Sequence, residues 1–315
     1  VRQRAGSGEG GREDLGVDVP LWFAWAARHY LQATGDVEFA EQVLCPAIRG
    51  VVERLSGGQI EGVELADDGL VTQGRPDLPL TWMDALCQGE VFTPRRGKAV
   101  EVNALWHLTL CLGNELGLPY EARLEQVRAS FLERFWSAKR GYLLDVVDGP
   151  EGDDASFRPN QLLAVSLHEA LLPDTVARAV VDEVTARLLT PYGLRTLAAG
   201  DPRYRERYEG HAAARDAAYH NGTVWPWLLG PYADALRRFA PADLGRLAAL
   251  LAPFAEHLGH SGLGQVSEIF DAEPPHWPRG CIAHAPAVGE LLRVAAMAAG
   301  ETAGFWPPAG PSRQA

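Results

Sequence analysis

Residues 100–127, VEVNALWHLTLCLGNELGLPYEARLEQV, hold one helix, a tight link and the start of another. Val100, Val102, Leu105, Trp106 and Leu108 fall at helical spacing, and Gly117 to Pro119 stop the run. Only Leu118 to Tyr120 separate the two predicted helices, and helices joined that tightly run antiparallel. The same brevity recurs at Thr34-Gly35, at Leu171-Leu172 and at Ala240. Between these pairs lie long stretches: residues 56 to 100, 137 to 157, 190 to 221 and 260 to 280. Alternation of short and long connections starts every second helix at the same end of the array, so the long loops gather on one face. Residues as distant in sequence as Asp84 and Glu268 can then share a pocket.

Apolar periodicity and stop signals predict about nine helices, starting near Val17, Asp36, Glu101, Glu121, Arg158, Pro173, Gly222, Pro241 and Cys281. Strand-like alternation is nearly absent, so the expected fold is all-α, an α/α toroid or barrel. An α-solenoid is the structural rival, but solenoids repeat at a fixed period and these hairpins differ in wording and loop length. Residues 1–16 and 303–315 read as loose tails around a helical domain over 17–302.

The chain has 315 residues, 47% of them hydrophobic, with a formal charge of -12 and no basic stripe. That is enough apolar material for a sizeable core, and the charge disfavours nucleic acid and anionic membrane as partners. Cys45, Cys87, Cys111 and Cys281 are widely spaced without a C-x-x-C pair, which argues against a zinc site or a disulfide scaffold. Free thiols, with no signal-peptide pattern and no apolar run long enough to span a bilayer, make a soluble cytoplasmic protein the expectation. Oligomeric state is not encoded legibly.

The loops hold the chemistry. Trp82 precedes Asp84 in LTWMDA, residues 80–85; an apolar ring raises a neighbouring carboxyl's pKa and stacks on sugar C–H faces, as a glycosidase acid requires. The plainer alternative is that Asp84 caps a helix or pairs with Arg95. Arg158, Asn160 and Gln161 open a predicted helix, where amides serve hydroxyls or caps. Tyr219, His220, Asn221, Thr223, Trp225 and Trp227 crowd around Gly222, as in a sugar pocket or a buried aromatic cluster. Glu268 lies in SEIFD, residues 267–271, and with Asp84 would supply the two carboxyl groups of glycoside hydrolysis. Asp271 and Glu101 are alternative partners. His257 and His260 suggest metal only weakly, since no carboxylate accompanies them. No phosphate loop or G-x-S-x-G appears.

These words together resemble the amylo-α-1,6-glucosidase family, the glucosidase domain of glycogen debranching enzymes. The matching stretches are LTWMDA, TPRRGK and VEVNALW between Leu80 and Trp106, then RPNQLLAVSL from Arg158. TPYGLRTLA, GDPRY, RYEG and RDAAYHNGTVWPWLLG follow between Thr190 and Gly230, and SEIFD, PPH, PRGC and ELLR between Ser267 and Arg293. The resemblance implies an (α/α)6 barrel, a six-hairpin glycosidase, that hydrolyses α-1,6-linked glucose at branch points of glycogen or limit dextrin. It implies inversion at the anomeric carbon with no metal or cofactor. By position, Asp84 would be the general acid and Glu268 the general base, held roughly 6.5 to 9.5 Å apart to admit a water. Trp82, Lys98, Asn103, Arg158, Asn160, Gln161, Tyr219, His220, Thr223, Trp225 and Arg279 lie in matching words and would line the pocket. A related glycosidase for another α-glucoside, or a catalytically silent glucan-binding or helical interaction protein, are the alternatives.

Three places depart from the family pattern. Asn221 stands where glutamine is usual, and His284-Ala285-Pro286 where Gln-Ala-Trp is usual, which would change an aromatic wall. Ahead of the stretch resembling VDxxLWF, Val17 to Phe23, the family's Trp-x-x-Asp-Gly-Arg-Asp segment has no counterpart. The expectation is a barrel lacking its first helices, a fragment or frame-shifted product, unstable or inactive by itself.

Overall fold

The computed structural model describes residues 16–300 except Glu169, Pro241 and Ala242. Apart from Gly16, the expected tails over 1–16 and 303–315 lie outside the described residues. The fold is helix-rich, with small sheets confined to the loops. Helix α1 is Val19–Thr34, and α2 runs over 37–56 as Val37–Phe39, a π-turn at Ala40–Leu44 and Cys45–Ser56. Next come α3 (Val100–Glu115), α4 (Glu121–Phe135), α5 (Leu163–Ser166) and α6 (Asp174–Leu188). The order ends with α7 (Ala212–Tyr219), α8 (Leu229–Phe239), α9 (Leu244–His260) and α10 (Ala285–Ala298).

The tight links are where the sequence places them. Gly35 takes a left-handed φ of 64° and its N–H returns to the Leu31 carbonyl, while the Asp36 side chain accepts from the Phe39 amide and starts α2. At the second link the Leu118 amide donates back to Gly113. Helix α3 is buried from Val100 through Gly113 and packs on α1, α2, α4 and α5, so it is the central element. A helix enclosed on every side needs no polar face, which is why its sequence is apolar nearly all round.

Three expectations are corrected. The loops contain strands, because these are two to four residues long and such lengths cannot register as alternation. Lys98–Ala99, Val146–Gly149 and Gly152–Asp154 form a three-stranded sheet that joins the first long loop to the second. Leu189–Thr190, Gly193–Arg195, Val224–Trp225, Ile269–Phe270 and Pro278–Arg279 form a five-stranded antiparallel sheet that joins the third loop to the fourth. Gly193 sits at φ 141°, where a Cβ would collide with the Trp225 carbonyl, so the register Leu194↔Trp225 depends on glycine. The third loop also contains α7, unforeseen in the sequence, capped by His211 accepting from the Ala214 amide. The helix expected from Gly222 starts only at Pro226–Leu228, a 3-10 turn, since Val224–Trp225 belongs to the sheet.

Between the second and third loops, the Ala198 amide donates to the Phe157 carbonyl, and Arg158 donates to the Thr196 and His220 carbonyls. The four loops are thereby one hydrogen-bonded layer across one end of the helices. Among the described residues no helix is long and apolar enough to cross a membrane.

Candidate active site

Asp84 is fixed by its neighbours. On one side the Thr93 hydroxyl donates to the Met83 carbonyl at 2.8 Å; on the other the Phe92 amide donates to Ala85 at 3.1 Å. The Met83 side chain is fully buried, its sulfur against Arg158 and Asn160, which leaves Asp84 facing inward to a cavity. Trp82 is anchored by its indole N–H, which donates to Asn160 Oδ1 at 2.9 Å, and meets Trp225 and Trp227 edge to face at 5.5 and 5.2 Å. Glu268 stands directly before the strand Ile269–Phe270, with its amide bonded to the Cys281 carbonyl. Its Oε1 accepts from the Tyr219 hydroxyl at 2.7 Å and its Oε2 from the Cys281 amide at 2.9 Å.

Asp84 and Glu268 line the same cavity, about 720 Å³ in volume, with Trp22, Trp82, Tyr219, Trp225 and Trp227 among its walls. Burial pushes the Asp84 carboxyl up to about 6, and the negative charges of Glu268 and Asp216 add to the rise. The Tyr219 phenol is raised by burial and by Glu268, so it remains a donor. A carboxyl that keeps its proton up to about pH 6, in an indole-walled space shared with a second carboxyl group whose orientation is fixed, can deliver that proton to a leaving oxygen.

Of the pocket candidates, Trp82, Tyr219 and Trp225 reach the cavity wall. The structure does not bring the others there, and each has a different task. Lys98 is held by Asp68 and Asp148, both at 2.6 Å. Asn103 accepts from the Val71 amide and donates to its carbonyl, fixing a strand of the first loop. Arg158 ties carbonyls and Asn221 Oδ1 together, Asn160 bridges Trp82 to Asp145, and Gln161 accepts from Leu143 and donates to Arg158. His220 is fully buried behind Trp82 and stacked on Trp225, kept neutral by burial and the nearby guanidinium of Arg158. Thr223 accepts from the Trp225 indole, and Arg279 pairs with Asp271 and Glu209.

The alternative carboxyls are likewise engaged: Asp271 by Arg279 and Arg207, Glu101 by Arg95. Arg95 grips Glu101 and Asp145 rather than Asp84. Sequence reasoning missed Asp18, buried in the cavity wall, although it lies in the Val17–Phe23 stretch already singled out. It also missed the buried pair Asp234 and Arg293, with the half-buried Glu290, at another part of the wall; Glu290 and Arg293 are three apart on α10, a spacing that places them on one face.

His257 and His260 are spent on the Ser267 amide and the Glu256 carbonyl. Among the described residues, one other group offers metal-type donors: His107, Cys111 and His168, whose atoms lie within 4.8 Å of one another. His168 Nδ1 already accepts from the Ala170 amide, and the charges acting on these imidazoles are those of Arg28, Arg128 and Arg238. Both features oppose a cation there, and we assign it none.

Two carboxyls facing one indole-walled cavity are the groups that glycoside hydrolysis calls for. A family model described as amylo-alpha-1,6-glucosidase matches residues 7–293, and the chain belongs to that family of glycoside hydrolases. The glycogen debranching enzyme of Saccharomyces cerevisiae is 28% identical over 211 residues, a match covering 50% of this chain and 14% of the yeast protein. The chain thus matches only a small part of that relative's length. Among solved structures, a sialidase superposes with a TM-score of 0.65 at 13% identity, over 86% of this chain and 25% of its own. The GH63 mannosylglycerate hydrolase from Thermus thermophilus, in complex with Tris and D-glycerate, gives 0.60 at 15% identity, over 90% and 82%. The GH78 rhamnosidase of a Bacillus species gives 0.58 at 13%, over 90% and 26%. These likenesses concern the fold.

Proposed function

We propose that this chain hydrolyses α-1,6-linked glucose at branch points of glycogen or limit dextrin, with Asp84 as general acid and Glu268 as general base. The observation that carries the reading is the shared cavity in which burial and the Glu268 charge keep the Asp84 carboxyl protonated up to about pH 6. Asp84 gives its proton to the glycosidic oxygen as the C1–O bond breaks. Water attacks C1 from the opposite face and loses a proton to Glu268, so an α-linkage yields β-glucose. Family membership and the yeast debranching relative support this substrate over other α-glucosides. In the same reading the described helices belong to an (α/α)6 barrel, and the protein works in the cytoplasm.

The test is glucose release from a phosphorylase limit dextrin, with Asp84→Asn and Glu268→Gln beside the parent and proton NMR following the anomer. β-Glucose from the parent alone is the expected result. α-Glucose, or activity undiminished in either variant, would overturn the assignment.

A further inference from the structure

Asp18 is a buried acid in the cavity wall that neither hydrolysis nor the ion-pair framework accounts for. It stands at the start of α1, 4% exposed, its side chain making no cap hydrogen bond to the helix. The Val17 amide donates to the Leu80 carbonyl at 2.8 Å, so this residue is built against the segment that carries Trp82 and Asp84. Its side chain lines the cavity beside Trp22, Trp82 and Asp84. The charges around it are Glu101 and Asp84, both negative, and among the described residues no cation pairs with it. Behind it, Arg95 and Arg158 serve Asp145, with Arg95 also serving Glu101. Two guanidiniums thus balance two carboxylates, and a charge on Asp18 would have no counterpart.

We propose that Asp18 is a sugar-binding residue, whose carboxyl hydrogen-bonds one hydroxyl of the glucosyl unit held against Trp82. Burial keeps this carboxyl protonated, and the negative charge of Glu101 adds to the effect. A neutral acid both donates and accepts, and a hydroxyl can reciprocate both bonds. An ionised carboxylate at this place would accept only and would repel Asp84. The inference rests on the sugar-site reading above and adds a specificity element to it, because a buried group left without its hydroxyl partner penalises a deoxy sugar.

The experiment is titration of D-glucose and its 2-, 3-, 4- and 6-deoxy forms into the parent, Asp18→Ala and Asp18→Asn, followed by calorimetry or ligand-observed NMR. Asp18→Ala is expected to bind glucose about tenfold more weakly, the size of one well-made hydrogen bond. For a single deoxy sugar the parent and Asp18→Ala should bind alike, identifying the hydroxyl. Asn, which also donates and accepts, should restore affinity to within about threefold. Should Asp18→Ala fail to fold, the near-isosteric Asp18→Asn carries the comparison, with its smaller change confined to the same hydroxyl. Equal weakening for every sugar, or none, overturns the proposal while leaving the parent's glucose binding and turnover intact. A parent that neither binds glucose nor releases it removes the sugar-site reading and this inference together.

Discussion

The Tyr219 hydroxyl donates to Glu268 Oε1 at 2.7 Å, tying the last residue of α7 to the loop segment before the strand Ile269–Phe270. With the Cys281 amide on Oε2, both oxygens of Glu268 are restrained. Tyr219→Phe keeps the ring and removes this one donor. A hydrogen bond to a charged group contributes about 1.5–3 kcal/mol, so kcat should fall roughly ten- to a hundredfold with KM little altered. Steady-state glucose release from limit dextrin measures both, and an unchanged kcat would show that Tyr219 does not orient Glu268.

How much of this was legible depended on scale. Helix pairs were readable because Gly35, Gly117 and Pro119 mark tight links between strongly periodic segments. The sheets were not, since a strand such as Val224–Trp225 is two residues long and is defined by partners in other loops. Trp82, Asp84, Tyr219, Trp225 and Glu268 were found and share the cavity. Lys98, Arg158 and Arg279 match the same motif words, yet their positive charges are consumed by neighbours whose proximity only the folded chain reveals. Asp18 was overlooked because a lone acid before a helix start looks like a cap.

Asp84 gives the rate a pH dependence with a definite sign. Its carboxyl is pushed up to about 6, chiefly by burial, and a general acid acts only while protonated. Turnover should therefore fall as pH rises through about 6. Asp216 contributes part of the upward push, so Asp216→Asn should lower the Asp84 value and move this alkaline limb to lower pH. Asp84→Asn should cost about 10²–10⁴ in kcat on natural dextrin. A limb that stays in place in Asp216→Asn would detach it from Asp84.

Lys98 separates motif membership from contact with sugar. Its ammonium sits between Asp68 and Asp148, which are 28% and 39% exposed at their side chains, and it lines no part of the Asp84 cavity. Solvent screens such pairs, so Lys98→Met should lower stability by about 1 kcal/mol in urea unfolding. Its kcat should remain within about twofold of the parent, because an effect on rate of even about 1.4 kcal/mol would be tenfold. A tenfold loss of kcat with normal stability would place Lys98 at the sugar.

Arg95 is the opposite case, a buried cation on which the site's geometry depends. Its guanidinium donates to Asp145 through Nε at 2.7 Å and to Glu101 through both Nη atoms, and all three side chains are almost wholly removed from water. The partners lie on different elements: Glu101 on α3 and Asp145 before the strand Val146–Gly149. Asp145 also accepts from Asn160, which in turn holds the Trp82 indole, so three hydrogen bonds in series link Arg95 to that part of the cavity wall. Removing this cation leaves Glu101 buried without its partner and Asp145 with Arg158 alone. Arg95→Ala should cost about 3–5 kcal/mol in urea unfolding, a large share of the ~5–15 kcal/mol that holds a typical domain. The triple variant Arg95→Met, Glu101→Leu, Asp145→Leu should recover only part of the stability, since Arg158 loses Asp145, and should not recover turnover, since Asn160 loses its acceptor and Trp82 its fixed orientation. A triple variant with parental kcat would show that this framework stabilises the protein without positioning the site.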